Sequence, residues 1–132
     1  MVKATMSVLA GFLMWFVAAT LGNWLLRAFI PTYVAAEAGM DFTLPMLLGR
    51  LAVGFFSSLV AGYSCSWVAG RSRRPIYVLS IIMLAFFLPV HYRLLSKFPI
   101  WYHAVFLGTL VPLIIFGGVL RGRFQTKAAN AP

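Results

Sequence analysis

The chain has 132 residues, of which 62% are hydrophobic and 10% charged, and its mean hydropathy is +0.93. Soluble domains carry about 45–50% apolar and about 25% charged residues, so this composition excludes an ordinary water-soluble fold and points to lipid. The net charge of +9 comes from Lys and Arg scattered over the ends of apolar runs. Without the aromatic-interleaved stripe of a nucleic-acid surface, those charges exclude nucleic acid as a partner; they read as topology signals and as contacts with anionic lipids at the cytoplasmic face.

Four uncharged runs, 4–26, 51–70, 75–92 and 98–120, each have roughly the 17–25 residues that cross a hydrocarbon core. In lipid every backbone N–H and C=O must be bonded internally, so each run is expected to be an α-helix. The expected fold is all-α, an integral membrane four-helix bundle with short loops and a single transmembrane domain over 1–132. Its spans fall at about 4–26, 45–70, 75–92 and 98–120, with an outer loop at 27–44 and a flexible tail at 123–132.

The first run exceeds the roughly 7–15-residue apolar core of a signal peptide and is kept as a span. Ser7, Gly11, Trp15, Ala19 and Asn23 recur at four-residue spacing, with Ala18 and Gly22 alongside, a small face suited to packing on the second helix. Asn23 lies near the end of the span, where it can hydrogen-bond across to a neighbour. The connection that follows carries an apolar patch, Phe29, Ile30, Tyr33 and Val34, and the chain's only acids, Glu37 and Asp41. It is expected to lie as a short helix on the outer interface.

Thr43 and Pro45 read as an N-cap and an early helical position of the second span. That start places Arg50 inside the headgroup boundary, either as an anchor snorkelling outward or as an ion-pair partner of Asp41 or Glu37 that clamps the outer loop. Beyond it, Gly54, Ser58, Gly62, Ser66 and Gly70 form one row of small residues and Ser57, Ala61, Cys65 and Ala69 a second. Phe56, Leu59, Val60, Tyr63 and Trp67 lie opposite. Such a surface lets helix backbones approach closely, which makes this the central packing helix. Cys65 is the chain's single cysteine, with no disulfide partner, and is read as a small packing residue.

Gly70 and Pro75 bracket a tight basic turn, and the third span is nearly all Leu, Ile, Val and Phe, with ample surface for lipid. Lys3, Arg71, Arg73, Arg74, Arg121, Arg123 and Lys127 fall on one side of the membrane, and Arg27, Arg50, Arg93 and Lys97 on the other. The positive-inside rule then puts both termini in the cytoplasm, in a multi-pass protein of a bacterial inner membrane. The short connection between the last two spans brings His91 and His103 to similar depth. Beside Trp101 and Tyr102 they read as an interfacial belt, with a metal or proton-linked site and bis-histidine haem as subordinate alternatives. No cofactor is otherwise called for.

There is no glycine-rich phosphate loop, no paired CxxC and no Ser/His/Asp set, so the sequence gives no reason to expect an enzyme. The function expected is helix–helix contact, as an accessory or assembly subunit of a larger membrane complex or in a homo-oligomer. A small oligomeric transporter or channel, lined by Asn23, Arg50, Ser57, Ser58 and the histidines, is the alternative. A metal- or haem-binding protein using His91 and His103 is the third.

Overall fold

In the computed structural model, which describes residues 1–131, five helices follow in order: α1 (Val2–Phe29), α2 (Tyr33–Gly39), α3 (Leu44–Ala69), α4 (Arg74–Arg93) and α5 (Ile100–Ala129). Among the described residues there is no strand. All but α2 are long and apolar enough to cross a membrane. The start of α1, the last turns of α5 and the α3–α4 turn lie at one end of the bundle, here the terminal end. The α1–α3 connection, which contains α2, and the α4–α5 turn lie at the other, the loop end.

Helix α3 is the axis of the structure, packed along α1 on one side and α5 on the other, while α4 leans on α5 and α1. The small-residue face makes this possible. A Cβ on Gly62 would fall on the carbonyl of Ile114, and one on Gly117 would fall on the carbonyl of Leu59, so α3 and α5 touch backbone to backbone. On the α1 side a Cβ at Gly11 would stand 2.8 Å from the Ala61 carbonyl and 2.9 Å from Cys65 Cβ, and one at Gly22 would stand 2.6 Å from Val53. Ala18, Ser57, Ser58, Ala61, Cys65 and Ser66 are all buried. Gly70 differs from the rest of its row: it ends α3 with φ +73°, a left-handed backbone that favours glycine, and only the Lys3 ammonium comes near it.

Three buried serine hydroxyls bond within their own helices. Ser57 donates to the Val53 carbonyl, Ser58 to Gly54 and Ser80 to Ile76, each one turn back on its own helix. Helix α4 has two faces rather than the single lipid-like wall its composition suggests. Ile76, Leu79, Ser80, Met83, Phe87 and His91 are buried at three- and four-residue spacing, with Val78, Ile81 and Ile82 exposed between them. The basic segment after Leu120 stays helical to Ala129 where a flexible tail was expected, because Arg, Gln, Lys and Ala are good helix formers.

Candidate functional site

At the loop end the packing changes character: bulky aromatics replace glycine. Trp15 on α1 packs tilted against Phe87 of α4 at 4.6 Å between ring centroids, and Phe87 packs edge-to-face with Phe106 of α5 at 5.1 Å. Above them Phe42 meets Tyr33 at 5.5 Å and Phe98 at 5.6 Å. Between these two layers is a cavity of about 110 Å³, walled by Trp15, Ala19 and Asn23 of α1, Arg50, Val53 and Gly54 of α3, Phe87, Val90 and His91 of α4, the α4–α5 turn, and Tyr102 and Phe106 of α5.

Arg50 is the charge on this cavity, and neither sequence expectation for it holds. It does not snorkel. Its guanidinium lies 4.7 Å from the Phe42 ring centroid, and its Nε is buried without a hydrogen-bond partner. Nor does it pair with Asp41 or Glu37. Glu37 is taken by Arg27, whose Nε and Nη2 donate to its carboxylate at 2.8 and 3.1 Å, while Asp41 is exposed. The α1–α3 connection is clamped to the bundle, but by Arg27–Glu37 at its rim and by a tyrosine within. Arg50 Nη1 donates to the Tyr33 hydroxyl at 2.9 Å, and that hydroxyl donates to Asn23 Oδ1 at 3.2 Å. Tyr33 is fully buried, although it sits on the seven-residue helix α2.

The two histidines meet as their spacing suggested, yet not as an interfacial belt: they are 5% and 4% exposed, and their Nδ1 atoms are 2.7 Å apart. A contact of that length needs one Nδ1 carrying hydrogen and the other bare. His103 Nε2 is buried without a partner. A stranded N–H is rarer in proteins than a stranded lone pair. The tautomers that avoid one have His103 donating through Nδ1, which puts the His91 hydrogen on Nε2. No third His, Cys, Asp or Glu joins the pair among the described residues. Two imidazoles bonded directly to each other leave no room for an ion, still less a porphyrin, between them, so this arrangement fits neither metal nor haem ligation.

Ser57 and Ser58, expected to line a pathway in the transport reading, lie outside the cavity. The Ser58 hydroxyl accepts a hydrogen bond from Trp15 Nε1 at 3.2 Å, which seals the cavity floor. Sequence reasoning missed Tyr33, Phe42 and Tyr102 as site residues. The available signal was a pair of tyrosines flanking the only arginine inside a span. A second, larger hollow of about 1350 Å³ opens at the terminal end between the α3–α4 turn and the last turns of α5, and its lining includes Arg71, Arg73, Arg123 and Lys127 and no acid.

The class these features define is an all-helical chain with four helices long and apolar enough to cross a membrane, compatible with a small multi-pass membrane protein. Comparison with protein-family models, curated proteins and solved structures finds no match.

Proposed function

We propose that this protein is a small membrane-embedded binding protein whose ligand site is the loop-end cavity beside Arg50, with the loop end facing outward and both termini in the cytoplasm. The observation that carries the reading is a half-buried arginine at a cavity, within a membrane-spanning helix, with no carboxylate against it. An ionisable group inside a span is costly and is kept for a role. The orientation rests on the distribution of Lys and Arg, seven to four in favour of the terminal end. The basic hollow at that end suits anionic headgroups of the cytoplasmic leaflet.

A second reading, an accessory or assembly subunit of a larger membrane complex, is favoured by the outward side of α3. Phe56, Tyr63 and Trp67 project from it at helical spacing and are 61%, 41% and 67% exposed. The small-residue face does not support that reading, because it is consumed within the chain. A channel through one chain has no support either, since the cavity ends at Trp15, Phe87 and Phe106.

The test is native mass spectrometry of the full chain extracted in mild detergent, beside the cavity-filling variant Ala19→Leu. The binding reading expects a discrete small-molecule adduct on the parent that the variant lacks. Equal adducts on both would refute it, and recovery in fixed ratio with a larger complex would establish the accessory role instead.

A further inference from the structure

The polar groups around the loop-end cavity share one property: each can donate a hydrogen bond, and none is an acid. Arg50 lines the cavity, and its Nε, shut off from solvent, has no hydrogen-bond partner. Asn23 accepts from Tyr33 through Oδ1, which leaves its amide N–H₂ to donate. His91, in the tautomer the pair favours, carries hydrogen on Nε2, and Tyr102 contributes a hydroxyl. Trp15 is the exception only because its N–H is already spent on Ser58. A wall of donors around an uncompensated cation is complementary to negative charge.

We infer that this cavity is an anion site, taking a single oxyanionic group, a carboxylate or a phosphate ester, on the Arg50 guanidinium. The inference rests on reading the cavity as a binding site and names the chemistry of its ligand. The planar guanidinium fork matches two oxygens of such a group, and the match is stronger where water is scarce. Both acids of the chain are elsewhere, Glu37 on Arg27 and Asp41 exposed, so the neutralising charge comes from outside the chain.

Size narrows the choice. About 110 Å³ is a few times the roughly 30 Å³ share of a liquid water molecule and well below the roughly 300–1,000 Å³ of pockets that enclose drug-sized ligands. The cavity therefore accepts a charged group and little more. The aromatic contacts of Phe86 with Phe12 and Phe16 close the α1–α4 seam below it, at 5.8 and 5.6 Å. At cavity level the seam is edged by Asn23, Val90 and Leu94, all partly exposed. An acyl chain attached to the anion would leave through that gap into lipid, whereas a free anion would occupy the cavity alone.

The experiment measures thermal unfolding and native mass of the full chain. Inorganic phosphate and acetate are added in neutral detergent, and palmitate and phosphatidylglycerol are presented in phosphatidylcholine nanodiscs. Stabilisation by phosphate or acetate identifies a free anion as the ligand. Stabilisation by palmitate or phosphatidylglycerol alone identifies an amphiphile's headgroup. In either case binding should weaken about tenfold in Arg50→Lys, which keeps the charge and loses the fork, and vanish in Arg50→Gln. It should persist when the terminal-end hollow is neutralised by Arg73→Gln with Lys127→Gln. Should Arg50→Gln fail to fold, Arg50→Lys and Ala19→Leu carry the test. No stabilisation by any of the four probes overturns the inference, as does binding that is indifferent to Arg50→Lys or is lost only with the terminal-end charges. An uncharged adduct that Ala19→Leu removes and Arg50→Lys keeps would preserve the binding reading and refute the anion.

Discussion

The two halves of this bundle are held together by opposite means. Toward the terminal end, α3 meets α1 and α5 through glycine, alanine and serine, with backbones in contact and the Ser57 and Ser58 hydroxyls bonded to carbonyls of their own helix. Toward the loop end, Trp15, Phe87, Phe106 and Phe98 keep the helices apart, and the space between them holds an arginine, two histidines, an asparagine and two tyrosines. Where α3 touches α1 and α5 backbone to backbone the seams themselves leave no volume, and the hollow at that end opens beside them, against the α3–α4 turn. Aromatic packing at the loop end leaves a cavity between the helices and a guanidinium Nε without a partner.

The largest effect should come from breaking the dry half. In Gly62→Val the new side chain falls on the Ile114 carbonyl and α5 must move away, which overpacks the seam by about 3 kcal/mol or more. Little folded protein should survive detergent extraction, and a melting temperature equal to the parent's would show that the backbones are not in contact.

Next in size is the polar half. Tyr33→Phe removes the hydroxyl that bridges Arg50 and Asn23, leaving both groups short of a partner at a cost of about 1–3 kcal/mol. Protease cleavage within residues 30–43 should accelerate while the α3–α5 seam stays intact. Cleavage at the parent's rate would mean that α2 is anchored by something other than this tyrosine.

Smaller, and of opposite sign, is Gly108→Ala on α5, where nothing lies within 4 Å of the added methyl group. Helix propensity alone predicts stabilisation of up to about 1 kcal/mol, so a loss of stability would place a neighbour against this face of the helix. Smallest of all is Glu37→Ala. The Arg27–Glu37 pair is at the exposed rim, and its removal should leave thermal unfolding unchanged at any ionic strength. A drop comparable to that of Tyr33→Phe would move the clamp from the tyrosine to the ion pair.

Composition and periodicity alone determined four apolar helices, the central place of the helix that carries Gly54, Gly62 and Cys65, the caps that bound it, and the approach of His91 to His103. Each follows from local chemistry: helix length against hydrocarbon thickness, small side chains at fourfold spacing, Pro and Gly at helix ends, a short connection between two spans. Which neighbour the small face met, and whether in the same chain, was decided only when α5 folded back beside α3 to bring Gly117 onto Leu59 and Ile114 onto Gly62. The same holds for Arg50. Sequence distance favoured Asp41 or Glu37 as its partner, but α2 turns Glu37 toward Arg27 and buries Tyr33 instead, and a hydroxyl seventeen residues away takes the place of a carboxylate. A spacing rule cannot find that contact, because it depends on how a seven-residue helix rotates against the end of the bundle.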